Sequence, residues 1–329
     1  MTTLNNPQEI TVTDTAPVAS GHEPGWLMDL EPVVEQLLDR HLRTSREWFP
    51  HQYVPWGQGR DFDGPLDGIP WQEAQSALAP TARSVLMLSI LTEDNLPSYF
   101  QSLESIGHAP AWREWAHRWA AEEDRHATVM RAYAHATRAL DPVALERLRM
   151  QHMATVAPER PTQEEGLAYV MVQELATRVA HRSTAANCGE PVCERLFTRV
   201  AQDENLHMLF YRDLFRALLD FRPDAAMNAL SRTVRHFAMP ARDLPEVTRL
   251  SNEVAAAGWY DLKIYRDDVL KPLLRSLGVM DRPNLSSSAE QARERIASMM
   301  TFLDRTVRRM EDRRAAADEA RADSRTPVV

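Results

Sequence analysis

Strand-like runs of Val, Ile and Thr are missing from this 329-residue chain, and Gly is scarce, with 11 residues. Both shortages exclude a sheet-built domain and leave helix as the default. No apolar stretch approaches the roughly 20 residues a membrane-spanning helix needs. The opening stretch, MTTLNNPQEITVTDTAPVAS, has neither the basic start nor the apolar centre of a secretory signal. Those two absences predict a cytoplasmic protein without membrane attachment. With only two cysteines, Cys188 and Cys193, a disulfide framework is excluded; their segment NCGEPVCERL reads as a turn between helices. Positive charge is in deficit too, 38 Lys and Arg against 47 Asp and Glu, a net charge of −9. That balance argues against nucleic acid as a partner.

What remains is a helical chain dominated by Ala, Leu, Arg and Glu. Residues 1–24 are polar and aperiodic and read as a mobile arm, and residues 315–329 as a frayed, charged tail. Between them, residues 25–314 read as one domain. A helix over WLMDLEPVVEQLLDRHLR precedes an irregular segment rich in Trp, Pro and Gly. Helical periodicity then runs from about Trp71 to His236, broken at Gly107–Pro110, Asp141-Pro142, Pro158–Pro161, Asn187–Pro191 and Arg222-Pro223. Further helices are predicted near Tyr260–Leu277 and Ser288–Arg314.

The chemistry-bearing residues are Glu and His at helical spacing. Glu123/His126 and Glu204/His207 are both Glu-x-x-His, a spacing that puts carboxylate and imidazole on one helix face. Alone the motif is weak, and Glu114/His117 is a third match. The upstream carboxylates discriminate: Glu93 lies 30 residues before Glu123, and Glu174 lies 30 residues before Glu204. Each interval spans one central break, so each folds as a helical hairpin that brings its single Glu level with its Glu-x-x-His. Thirty residues before Glu114 stands Ser84, and His117 lies nine residues from His126, on the far side of the same helix. Two such hairpins give four helices with six inward ligands, the ferritin-like di-metal carboxylate pattern. Hard carboxylate oxygens with imidazole suit iron and leave open positions, and four carboxylates balance two ferrous ions. Glu122 and Asp203 each precede a motif Glu; Asp203 is the candidate acceptor for the outer N–H of a ligating His.

The stretches LTEDNLPSY, WAAEEDRHA, QELATRVAHRSTA and DENLHMLFYRD, with WFPHQYVP and HFAMP, resemble the soluble acyl-acyl-carrier-protein desaturases, above all the actinobacterial branch. The resemblance covers roughly residues 27–275. It implies an all-α homodimer of about eleven helices around a ferritin-like four-helix core. It also implies two iron ions, a ferredoxin-type electron donor, and a dioxygen-dependent reaction that puts a cis double bond into a fatty acyl chain held on acyl carrier protein or coenzyme A. By position, the implied iron ligands are Glu93, Glu123, His126, Glu174, Glu204 and His207, with Glu123 and Glu204 as bridges. Thr177 matches a threonine on the oxygen side of the cluster, and Trp48, His126 and Asp203 match an electron route from the surface. The chain departs from the family pattern at Asp124 and Ala127, where Asn and Gly are usual.

Leu167, Met171 and Thr177 share a helix face with Glu174 and are candidate walls of an acyl tunnel, although core packing explains Leu167 and Met171 equally well. Arg40, Arg43 and Arg46 are one candidate basic patch for an acidic partner, with a solvated helix face as the favoured reading of these residues. The ligand set equally fits a di-iron oxygenase or hydroxylase acting on another substrate. Iron storage fits less well, because storage chains lack the added C-terminal helices.

Overall fold

A computed structural model describes residues 25–154, 162–242 and 244–323; the predicted arm at 1–24 and the end of the tail at 324–329 lie outside them. Among the described residues there is no strand, only an isolated bridge between Phe62 and Ile69. The helices are α1 (Trp26–Asp29), α2 (Glu31–Thr44), α3 (Pro80–Asp94), α4 (Leu96–Glu104), α5 (Pro110–Ala136), α6 (Pro142–Met153), α7 (Gln163–Asn187), α8 (Pro191–Phe221), α9 (Pro223–His236) and α10 (Pro245–Ala256). Leu262–Ser276 is continuous helix with a π turn over Tyr265–Leu270, giving α11 (Leu262–Ile264) and α12 (Lys271–Ser276); α13 spans Ser287–Asp323.

Proline sets much of this pattern. Helices α3, α5, α6, α8, α9 and α10 each begin on Pro at the first helical position, where the missing N–H would have no intrahelical partner and φ is already helical. Side chains close other ends: Asp141 accepts from the amides of Val143 and Ala144, and Thr162 forms a reciprocal box with Glu165. Glu190 accepts from the amides of Val192 and Cys193 at the start of α8 and accepts a hydrogen bond from the Tyr133 hydroxyl as well, at 2.8 Å.

Two points differ from the sequence reading. The arm carrying Glu93 is not one helix to Gly107 but stops at Asp94 and restarts at Leu96. Pro97 is the cause, because it has no N–H to bond the Glu93 carbonyl four residues back. At the other end α13 carries on past Arg314 to Asp323, since AAADEARAD is built of strong helix formers.

Helices α3, α5, α8 and α7 form a closed square in which each packs on the next, and α2 lies across α5 and α8. This is the ferritin-like core. Helix α9 covers α7 and α8 and carries α13 on its outer side, while α6 and α10 lie on α3. The core falls into two clusters, a larger one with Trp26, Trp112, Trp115, Leu167, Met171 and Phe215, and a smaller one with Trp48, Leu86, Ile90, Met130, Cys193 and Phe197.

The irregular segment between α2 and α3 is held by Arg138. Its guanidinium donates to the carbonyls of Arg60, Asp61 and Ile69 and to the Gln75 side chain, and stacks 4.0 Å from the Phe62 ring centroid. Arg138 itself sits at φ 52, the left-handed residue that ends α5. Near the other end of the segment, Trp48 is driven under the bundle, 3% exposed.

Candidate metal centre

Four helices of the square each bring a carboxylate to one level. Glu93 comes from the last turn of α3, Glu123 and His126 from the middle of α5, Glu174 from the middle of α7, and Glu204 and His207 from the middle of α8. All six are buried, the most exposed at 5%. They fall into two four-residue sets whose ligand atoms lie within 4.8 Å of one another: Glu93, Glu123, His126 and Glu204, and Glu123, Glu174, Glu204 and His207. Glu123 and Glu204 belong to both. Each set therefore holds one terminal carboxylate, one imidazole and two shared carboxylates.

Both rings turn Nδ1 inward. Nδ1 of His126 is 3.4 Å from Glu123 and 3.2 Å from Glu204; Nδ1 of His207 is 2.9 Å from Glu123 and 3.3 Å from Glu174. None of these approaches is aligned as a hydrogen bond. Nδ1 of both histidines, Oε1 of Glu123 and Glu204 and Oε2 of Glu174 are buried without a hydrogen-bond partner. Five orphaned lone-pair donors aimed at a shared space are expensive in a protein core, at about 1–3 kcal/mol each. A pair of divalent cations satisfies them all at once, so the donor set fits two metal ions.

The outer faces of these residues are fixed by donors and acceptors from the surrounding helices. Glu122 on α5 accepts from Nε2 of His207 at 2.8 Å, and Asp203 on α8 accepts from Nε2 of His126 at 3.4 Å. The support is crossed: the carboxylate beside each motif Glu holds the histidine of the opposite helix. Asp203 also accepts from Trp48 Nε1 at 2.7 Å, from Arg125 at 2.8 Å and from Arg199. The Trp48 ring lies 6.3 Å from the His126 ring and nearly parallel to it, 12° apart. Trp119 Nε1 donates to Glu174 at 2.9 Å, and His181 Nε2 meets Glu93 at 3.2 Å.

Crowding four carboxyls in one dry space couples their protons. Burial, then the Glu123 charge, pushes Glu93 well above the ordinary carboxylate range, and the same two causes push up Glu204. Burial works against Glu123 as well, but the charges of His126 and His207 outweigh it and hold Glu123 low. Burial opposes the charged form of both histidines, yet the surrounding carboxylates raise them well above the ordinary histidine range. His181, with no such carboxylate charge dominating it, is pushed down to about 3 by burial and then by His126. Without metal, Glu93, Glu204, His126 and His207 thus hold protons more tightly than ordinary groups of their kind, and a cation entering competes with those protons.

Two of the cavities beside α7 border the cluster. The larger, about 450 Å³, is lined by Tyr99, Trp119, Tyr169, Gln173 and Phe237 among others. The smaller, about 140 Å³, is lined by Thr177, Ala180, His181, Met239 and Trp259 among others. Pro240 lines both. Each cavity reaches the cluster through one of its supporting donors, Trp119 on Glu174 and His181 on Glu93. The segment HFAMP forms part of both walls.

The candidate tunnel residues divide. Thr177 lines the smaller cavity, whereas Leu167 and Met171 line neither of these two and are buried in the larger core cluster. At 100° per residue, Met171 and Thr177 sit about 60° to either side of Glu174, and the cavities lie on the Thr177 flank. Arg40 and Arg43 sit on a solvated helix face. Arg40 is paired with Asp213 at 2.8 Å and Arg43 with Asp39 at 2.6 Å. Arg46 instead joins Arg178, Arg182 and Arg199 around a surface groove of about 620 Å³.

Glu114 and His117 are exposed on the outer side of α5, as is Asp124, whose charge faces solvent. Cys188 and Cys193 are free, buried thiols at the α7–α8 turn. The sequence reading missed His41, His181 and Trp119. Their partners Glu122, Glu93 and Glu174 stand 81, 88 and 55 residues away. No local spacing reports such contacts. The neighbouring pairs Glu122-Glu123 and Asp203-Glu204 were the available signal for the crossed support.

Comparison with known proteins places this geometry. The family model described as fatty acid desaturase matches residues 25–326. The acyl-acyl-carrier-protein desaturase DesA1 of Mycobacterium tuberculosis is 38% identical over 84% of this chain and 85% of its own. The rice acyl-acyl-carrier-protein desaturase 7, chloroplastic, is 30% identical over 92% of this chain and 79% of its own. The X-ray structure of the acyl-ACP desaturase DesA2 from Mycobacterium tuberculosis H37Rv covers 80% of this chain and 97% of that one, with TM-score 0.66 and 30% identity. With its buried carboxylate–imidazole square and these relatives, the chain belongs to the fatty acid desaturase family.

Proposed function

We propose that this protein is a di-iron desaturase that uses dioxygen to introduce a cis double bond into a fatty acyl chain carried on acyl carrier protein. The observation that carries the reading is the pair of four-residue donor sets sharing Glu123 and Glu204, with both histidine Nδ1 atoms orphaned and turned inward. Carboxylate-rich sites with one imidazole per metal favour iron over softer-site metals. When bound, a reduced iron pair supplies the dioxygen activation and hydrogen removal that no amino-acid side chain can perform.

The chain's own residues do the rest. Glu93 and Glu174 cap the two halves of the site; Glu123 and Glu204 hold the halves together. Trp119 and His181 fix the terminal carboxylates, while Asp203 and Glu122 fix the histidine rings, so little rearrangement is needed during reaction. The mainly apolar cavities beside Thr177 and Gln173 hold an acyl chain stretched along α7 and exclude bulk water. The Thr177 hydroxyl donates to the Gln173 carbonyl at 2.9 Å and accepts from the Gln173 side-chain amide at 3.4 Å, which fixes it at the cavity wall.

Electrons come from a ferredoxin-type donor, with Trp48, Asp203 and His126 as the hydrogen-bonded path to the site. The groove of Arg46, Arg178 and Arg182 opens beside Arg199, which is bonded to Asp203, and suits an acidic partner.

The test is incubation with iron, reductant, dioxygen and a panel of acyl carriers, followed by mass spectrometry of the acyl chain. A product two mass units lighter is the expected result. A gain of sixteen mass units identifies a hydroxylase instead, and unchanged acyl chains throughout the panel overturn the reading.

A further inference from the structure

The two halves of the metal site are supported by unlike partners, and one partner, His41, comes from outside the four-helix square. His41 lies in the last turn of α2, 3% exposed, with Nε2 3.1 Å from Glu122 Oε2. The same oxygen takes Nε2 of His207 at 2.8 Å, and the other Glu122 oxygen meets Arg118 at 2.5 Å. The His41 ring stacks 5.8 Å from the His207 ring, 27° from parallel, and meets the Trp115 ring edge-on at 4.9 Å. Asp203, which supports His126, is shared among two guanidiniums and an indole.

We infer that His41 is a positioning residue for the Glu174/His207 half of the site, acting through Glu122, and that the two halves bind metal with unequal donor strength. The inference rests on the di-iron reading above. An imidazole that hands its outer N–H to a carboxylate becomes a better metal donor. How much better depends on what else that carboxylate serves. Asp203 faces two positive charges, so its pull on the His126 proton is weak, in keeping with the longer 3.4 Å contact. Glu122 faces one guanidinium, which is 39% exposed, and a single N–H of His41, and it meets His207 at the shorter distance of 2.8 Å. Its pull on His207 is therefore stronger. The metal held by Glu174 and His207 is the more electron-rich of the two. The metal held by Glu93 and His126, next to Trp48, is the more readily reduced. His41 does two things here: its N–H fixes the Glu122 carboxylate, and its ring face fixes the plane of His207.

The test uses the full chain, stripped of metal and titrated anaerobically with ⁵⁷Fe(II), read by Mössbauer spectroscopy and equilibrium dialysis. Wild type is expected to show two ferrous doublets. His41→Leu removes donor and ring; it should weaken the second iron about 10-fold or more and shift one doublet only. His41→Gln keeps an N–H directed at Glu122 and should restore affinity for that iron. Trp48→Phe, which removes one donor from Asp203, should shift the other doublet. Two equivalent doublets in wild type, or a His41→Leu protein that binds both irons as wild type does, overturns the inference and leaves the di-iron reading intact. A wild-type chain that binds no iron pair overturns that reading itself. If His41→Leu does not fold, His41→Gln decides: affinity for both irons kept with one doublet moved, because the ring on His207 is lost, supports the role, whereas equal weakening of both irons or two unmoved doublets contradicts it.

Discussion

Removing the metal should reverse how stability responds to pH. In the metal-free protein Glu93, Glu204, His126 and His207 all bind protons more tightly folded than unfolded. Between pH 7 and 8.5 the unfolded chain has already released those protons, since ordinary Glu and His titrate at about 4.3 and 6.5. Stability carried by a raised group is present below its unfolded value and is lost as pH rises through the folded one. The metal-free protein should therefore weaken as pH rises across this window. His181, pushed to about 3, is neutral in both states there and contributes nothing. The hydrogen bond between the two thiols lowers Cys188 to about 7 and raises Cys193, so the pair together opposes the trend by less than one proton. Four groups against that pair leave a net excess of up to about three protons.

Each proton is worth about 1.4 kcal/mol per pH unit. An unfolding entropy of about 2.1 cal/mol/K per residue gives this 329-residue chain about 0.7 kcal/mol/K. The melting temperature of the metal-free protein should fall by about 2–6 °C per pH unit. Metal loading displaces the same protons, so the loaded protein should show a flat or rising profile, and the gap between the two should widen with pH. Calorimetry of chelator-treated and Fe(II)-loaded samples under argon reads both slopes. Profiles that stay parallel from pH 7 to 8.5 would refute the reasoning, because the cluster's protons would then not be the ones metal replaces.

Three further outcomes follow from the geometry. Ala180→Phe projects into the cavity of about 140 Å³ beside Thr177; it should lower kcat/KM for long acyl chains more than for short ones, and equal losses would deny that cavity a role in chain binding. Asp203→Asn takes away the carboxylate that joins Trp48 to His126; stopped-flow reduction by a ferredoxin should slow about 10-fold, and an unchanged rate would remove this path. Arg138→Ala frees the segment before α3 and should cost about 2–3 kcal/mol, a melting-temperature fall of about 3–4 °C, with full iron content at lower temperature.

The sequence carried the site further than it carried the fold around it. A Glu-x-x-His pair and a carboxylate thirty residues upstream report one helix face and one hairpin, because helical geometry is local. That is enough to bring Glu93, Glu123, His126, Glu174, Glu204 and His207 to one level. Breaks at Pro110, Pro142, Pro191 and Pro223 were readable for the same reason. Pro97 carried an equal signal, but the helical pattern of α3 runs on across it in sequence and hides the restart at Leu96. Contacts between distant segments have no local trace: Trp48, a resemblance-based candidate, took its partners only in the structure, and His41, Trp119 and His181 emerged there alone. The choice between Met171 and Thr177 as cavity walls also needed structure. Both flank Glu174, and only the positions of α9 and the HFAMP segment decide which flank is hollow.

Diffraction at the iron absorption edge, from crystals grown with Fe(II) under argon, addresses the site most directly. Two anomalous peaks about 3.5–4 Å apart, with Glu123 and Glu204 contacting both and His126 and His207 each contacting one through Nδ1, are the predicted result. A single peak, or iron bound elsewhere with the six side chains bonded only to one another, would contradict it.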